Sequence, residues 1–280
     1  MSANYRNNPP AEFQEIVALW RELRDIFLED DRDVRDIDEQ LATGAWAWDL
    51  VLKHKAPSEV DRMGEVLLGP VYTCESHPWP ENDGVPMTPL LQLDLDRASA
   101  LAGISLGKGL LQAFVAANDR LGQSVHVRTI DRVDVDRERL QPIPKFNTNS
   151  NGFAAIDWAD PGTAFPSCIQ VVGIEGPRFT CCNISELREL FDLKALDAIP
   201  KAKAERFQEL VRQQRDRWSP GGFHLLGTFY PIQYSQADRD WPLLCLESEH
   251  GFNFGDGQGQ LFFSPMNSGE TTFYFDWSCY

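Results

Sequence analysis

The sequence predicts an α+β protein: an internally duplicated antiparallel β-sheet scaffold with N-terminal helices and a helical insert between the repeats. Three observations carry this reading. A broad apolar stripe at helical spacing occupies positions 11–28, short apolar runs broken by Gly and Pro begin near residue 64, and three of those runs recur in order near the C-terminus. The expected organisation is an N-terminal helical region over 1–63 and a β-rich domain over 64–280. The repeat halves of that domain cover about 64–116 and 222–276, with the helical insert at about 183–219.

In the first segment, Phe13, Ile16, Val17, Trp20, Leu23 and Phe27 fall on one helical face, with Glu12, Glu15, Arg21, Glu22 and Arg24 mostly outside it. An acidic run follows from Glu29 to Glu39, with seven acids against two arginines. Leu41, Trp46, Leu50 and Val51 predict a second helix from about Asp36 through Lys53. Beyond it, strands are expected at Val66–Tyr72, Leu90–Leu95, Leu110–Val115, Val125–Val127 and Ile169–Ile174, then at Leu225–Tyr230, Leu243–Leu246, Leu261–Phe263 and Thr272–Phe275. Between these groups, Asn183 or Ser185 would cap a helix over Glu186–Phe191, and a longer helix runs from about Lys201 to Trp218, where Pro220-Gly221-Gly222 stops it.

The repeat aligns Leu67-Leu68-Gly69-Pro70-Val71-Tyr72 with Leu225-Leu226-Gly227-Thr228-Phe229-Tyr230. It aligns Pro89-Leu90-Leu91-Gln92-Leu93-Asp94 with Pro242-Leu243-Leu244-Cys245-Leu246-Glu247, and Gly107-Lys108-Gly109-Leu110 with Gly257-Gln258-Gly259-Gln260. Each copy reads as strand, turn, strand, Gly turn, strand, and each needs the other to cover its apolar face.

At these same residues the chain resembles the YwqG-like family, a bacterial domain family without an assigned activity. The resemblance covers most of 64–280. It rests on Trp79-Pro80, on Leu90-Leu91-Gln92-Leu93-Asp94-Leu95, on Leu226-Gly227 through Gln233, and on Leu243 to Glu249 followed by Phe254-Gly255-Asp256-Gly257-Gln258-Gly259. The chain departs from the family pattern at Cys245 (Gln in the family), Glu247 and Glu249 (Asp) and Phe254 (Trp). The resemblance implies antiparallel sheets with an internal duplication. Similar proteins are often encoded beside polymorphic or contact-delivered toxins, which implies an immunity role.

Composition bounds the function. Lys and Arg number 26 against 42 Asp and Glu, a formal net charge of −16. That balance disfavours nucleic acid as a direct partner and favours fast encounter with a basic one. The start, Met1-Ser2-Ala3-Asn4-Tyr5-Arg6, leads into no apolar core of the secretory kind, and no run is long enough to span a bilayer, so a cytoplasmic protein without membrane contact is expected. Cys74, Cys168, Cys181, Cys182, Cys245 and Cys279 are scattered and read as reduced thiols.

No catalytic residue, metal site or cofactor is expected. Phe254-Gly255-Asp256-Gly257-Gln258-Gly259 has G-x-G-x-G spacing ahead of a strand, whereas a dinucleotide loop needs G-x-G-x-x-G ahead of a helix. Cys74-Glu75-Ser76-His77 supplies two of the four ligands a structural zinc requires. Glu247-Ser248-Glu249-His250 would place its acids and its histidine on opposite faces of a strand.

Two readings of function remain. In the first, the protein is an immunity (antitoxin) protein that binds a basic toxin, such as a nuclease effector, through Glu29, Asp30, Asp31, Asp33, Asp36 and Asp38. In the second, it is a small-molecule binder or enzyme with a cleft between the repeat halves. That cleft would be lined by Trp79, Gln92, Asp94, Gln233, Gly255, Asp256 and Gly257.

Overall fold

The computed structural model of the chain describes residues 9–28, 46–116, 124–144, 168–180, 199–217, 223–227, 241–247, 250, 252, 258–265 and 271–278. Helix α1 (Gln14–Leu28) follows a short 3-10 turn at Ala11–Phe13 and leads to strand β1 (Trp46–Lys55). The first part of the sheet is built by β2 (Val66–Leu67), β5 (Thr88–Asp94), β6 (Leu110–Val115) and β7 (Val125–Ile130). A separate hairpin, β3 (Glu81–Asn82) and β4 (Val85–Pro86), precedes β5, and helix α2 (Leu95–Ala102) follows it. Then come β8 (Cys168–Phe179), helix α3 (Lys201–Arg217), β9 (His224–Leu226), β10 (Trp241–Glu247), β11 (Gln258–Pro265) and β12 (Thr271–Ser278).

Ten strands form one antiparallel sheet in the order β12-β11-β10-β9-β1-β8-β2-β5-β6-β7. Its edge strands β7 and β12 approach each other, so the sheet curls nearly into a barrel. The centre is the long β1–β8 pair, running from Trp46 opposite Phe179 to Lys55 opposite Cys168. β1 precedes β2 in the chain yet lies against β9, and β8 precedes β9 yet lies against β2.

Residues 46–53 are therefore strand, not the second half of a helix. Trp46, Trp48 and Leu50 alternate with Ala47, Asp49 and Val51, and this period of two places the large residues on one face. Residues 36–45 lie outside the described set, as do the expected short helix over 186–191 and its caps.

One face of the sheet carries the main core. Ile169, Leu91, Leu93, Leu111, Leu244 and Leu261 meet α1 and α3 there, with Trp20 stacked on Phe207 at 5.8 Å. At the rim of this layer Arg206 donates two hydrogen bonds of 2.6 Å to the Glu15 carboxylate, and Lys203 pairs with Glu22. Trp46 sits between Phe13 and Phe179, edge-on to both.

Two turns depart from expectation. β2 ends at Leu67 because Leu68 adopts a left-handed backbone (φ 49°), as Leu226 does (φ 59°) at the end of β9. β5 ends at Asp94, whose carboxylate accepts from the amides of Asp96 and Arg97 and caps α2. The sequence reading missed α2, although the Asp94 cap and Gly103, left-handed at its C-terminal end (φ 72°), both signal it. Among the described residues no helix is long and apolar enough to cross a membrane.

Candidate functional site

The opposite face of the sheet carries polar residues in positions where neighbouring strand residues are apolar. Gln92 on β5 faces Gln112 on β6, which faces Arg128 on β7, while Gln170 on β8 faces Val66 on β2. Gln92, Gln112 and Gln170 are all buried, so each amide must find partners within the protein.

The partners are backbone groups of two loops laid over this face. The Gln92 carbonyl accepts from the Tyr72 amide (2.8 Å) and the Gln112 side chain (2.7 Å), and its NH2 donates to the carbonyls of Arg62 (3.0 Å) and Gly64 (2.6 Å). Gln112 also donates to the Tyr72 carbonyl and accepts from Arg128 Nε. Gln170 accepts from the Asp61 amide and donates to the Glu65 carbonyl.

Two arginines clamp the loops from above. Arg62 donates to the carbonyls of Val71 and Gln141 and to the Thr73 hydroxyl. Arg128 lies over the Phe114 ring at 5.2 Å and donates to the carbonyls of Pro78 and His77. Burial lowers the Arg128 guanidinium to about 10; it stays cationic at neutral pH.

The residues expected to line a cleft are used in the same way. Trp79 donates its indole N–H to the Met87 carbonyl (2.7 Å) and meets Phe114 edge-on. Asp94 caps α2 and pairs with Arg132 (2.7 Å), which also binds Asp96. The Gly109 amide and Arg132 hold the Asp96 carboxyl below the usual range. Gly109 is left-handed (φ 97°), and a side chain there would run into the Ile130 carbonyl and the Arg132 amide. The structure thus gathers Trp79, Gln92 and Asp94 on one face. Gln233, Gly255, Asp256 and Gly257 lie outside the described residues, as do Glu29, Asp30, Asp31, Asp33, Asp36 and Asp38.

At the margin of this network the Cys74 thiol lies 3.2 Å from the Ser76 hydroxyl and 3.7 Å from His77 Nδ1, and Ser76 and His77 lie 3.1 Å apart. Reciprocal backbone bonds between Cys74 and His77 close the loop. Burial opposes ionisation of Cys74, but the hydrogen bonds from Ser76 and His77 outweigh it and bring the thiol down to about 7. Burial instead pushes Cys168 up to about 11 and Cys245 up to about 12. All three are free thiols.

A second polar row crosses the other half of the same face: Asp49 on β1, His224 on β9, Cys245 on β10, Gln260 on β11 and Asp276 on β12, each opposite the next. Asp49 accepts from Arg178 Nε at 2.8 Å. Of the two rows, the sequence reading singles out only Gln92 and, as a departure from the family pattern, Cys245. Their signal was a lone glutamine inside each of several apolar strands, as in Leu-Leu-Gln-Ala-Phe-Val at 110–115 and Cys-Ile-Gln-Val-Val at 168–172. His250 lies beyond the end of β10 at Glu247, so the expected strand through 247–250 stops short of it.

No protein-family model matches the chain, and no curated protein matches it.

Two outcomes follow from this geometry. Replacing Gln92 with Ala removes the partner of the Tyr72 amide, of the Gln112 side chain and of the part-buried Arg62 and Gly64 carbonyls, and urea unfolding should show a loss of about 3–5 kcal/mol. Gln92→Leu refills the volume without supplying an amide and should lose nearly as much; a loss below about 1 kcal/mol would contradict the account.

Thiolate absorbance in the ultraviolet, taken as wild type minus Cys74→Ser, should titrate near pH 7 rather than at the ordinary thiol value of 9.0. Between those values the unfolded chain binds the additional proton. Stability contributed by Cys74 should therefore rise as the pH climbs from about 7 to 9, and be lost as it falls again. His77→Ala should move the midpoint upward.

Proposed function

We propose that this protein is an immunity (antitoxin) protein that binds and neutralises a secreted, basic toxin, such as a nuclease effector, in the cytoplasm, without contacting nucleic acid or membrane itself. The observation that carries the reading is the charge balance, 42 acids against 26 bases. Seven of the acids, against two arginines, fall in the single run Glu29–Glu39. A toxin that must hold nucleic acid presents a basic surface, and an acidic partner both steers toward it and covers it.

The resemblance to the YwqG-like family supports the same reading. So does the fate of Trp79, Gln92 and Asp94, whose polar atoms are used to hold the protein's own loops and caps. That use weakens the alternative of a ligand cleft lined by these three residues.

We also infer that the sheet is an internal duplication with exchanged leading strands. Its order reads outward from the β1–β8 pair as β9-β10-β11-β12 on one side and β2-β5-β6-β7 on the other. β5 on β6 and β10 on β11 both carry an irregularity just after the proline, with Pro89 opposite Phe114 and Pro242 opposite Phe262. This register equates Gly107-Lys108-Gly109 with Gly255-Asp256-Gly257, two residues from the alignment read in the sequence. A superposition of 64–116 on 222–276 that cannot bring Pro89 onto Pro242 would remove the inference.

The functional test is stopped-flow binding to the product of the adjacent gene, beside a co-expression survival assay. Changing Asp30, Asp31, Asp33 and Asp36 together to Asn should lower the association rate roughly tenfold at low salt, with a smaller effect on dissociation. The difference should shrink at high salt, where exposed charges are screened. Neither binding nor protection by the wild type would reject the immunity reading. Protection with an unchanged rate in the variant would reject the placement of the interface.

A further inference from the structure

We propose that His54 and His250 form a surface site for a late first-row divalent cation of the zinc or copper class. The two rings come from distant parts of the chain, His54 from the last turn of the pleat in β1 and His250 from just beyond β10. Nε2 of His54 and Nδ1 of His250 lie 3.1 Å apart, with ring centroids separated by 5.2 Å and planes inclined by 49°.

Zinc–imidazole bonds are ~2.0–2.1 Å, so two of them spanning this separation enclose an angle of about 100°. That angle lies between the cis angle of octahedral or square-planar sites and the tetrahedral one. A cation can therefore replace the hydrogen bond between the rings once each lone pair turns by up to about 40° from the N–N line toward a common point.

The pair is held in place before any cation arrives. His250 adopts a left-handed backbone (φ 55°), sparsely populated for residues other than glycine, and forms a bridge to Phe252. Its ring lies edge-on to Phe223 at 5.5 Å, and Phe223 in turn meets Phe252 at 5.5 Å. Both phenylalanines are buried, so an apolar wall fixes the position of the ring while its polar edge faces His54.

Both histidines are exposed, which leaves a path for exchange with solvent. Among the described residues no third His, Cys, Asp or Glu joins them. His54 and His250 supply two cis ligands, and further donors from water, from this chain or from a bound partner complete the sphere. Paired imidazoles select late transition cations over calcium or magnesium, which take oxygen ligands.

The test is titration of the full-length protein with Zn2+ by calorimetry, beside Co2+ absorption spectra. One equivalent should bind to the wild type, and the affinity should weaken at acid pH as protons compete for the ring nitrogens. His54→Ala and His250→Ala should each weaken it at least tenfold with unchanged thermal unfolding. His54→Gln and His250→Asn provide a second pair of variants, the Asn tolerating the left-handed backbone at 250. The Co2+ complex should lack a thiolate-to-metal charge-transfer band. Weakening in only one variant, in neither, or a thiolate band in the wild type would overturn the proposal.

Discussion

The fold depends on one long antiparallel contact, the pairing of β1 with β8. On its outer edges β1 pairs with β9 and β8 with β2, so the strands on either side of the pair are joined only through it. Closing a loop of more than a hundred residues costs little more than closing a shorter one, because the entropy grows only logarithmically with length. The long ladder and the burial of Trp46, Trp48, Ile169 and Phe179 offset that cost.

The second constraint concerns loops rather than strands. Loops packed onto a sheet bring carbonyls and amides out of water, and each must be paired. Here the sheet itself supplies the partners, through glutamines whose amides both donate and accept. Arg62 completes the clasp by reaching from one loop to the next, and Arg128 by reaching from β7 to the loop at Pro78. The interior polar face is therefore a recognition surface already occupied by the protein's own backbone. Cys74 lies at its margin, where Ser76 and His77 turn an ordinary thiol into one that ionises near neutrality.

Much of this was legible in the sequence, and the gaps have physical causes. The bounds of strand β6 are legible because Leu110–Val115 is an apolar run broken only by Gln112 and flanked by Gly109. The α1 stripe was equally plain, since Phe13, Ile16, Val17, Trp20 and Leu23 share one helical face. β1 was misread because Trp46, Leu50 and Val51 also fit a helical spacing, and only the partner strand decides between the two periods. The roles of Gln92 and Asp94 were not legible. A family motif marks such residues as important, but whether they hold a ligand or a loop depends on what folds over them. The His54–His250 pair joins residues nearly two hundred positions apart, and no spacing rule brings them together.

The placement of β1 between β8 and β9 has a consequence for synthesis. β1 leaves the ribosome early with Trp46, Trp48 and Leu50 aligned on one face, yet its neighbours β8 and β9 are translated more than a hundred residues later. At typical elongation rates that is a wait on the order of ten seconds. Throughout it an aromatic strand has no sheet to join, and α1 has only part of the surface it will cover. Production of the native protein is thus a race between translation of its second half and capture of its first by chaperones or by other nascent chains.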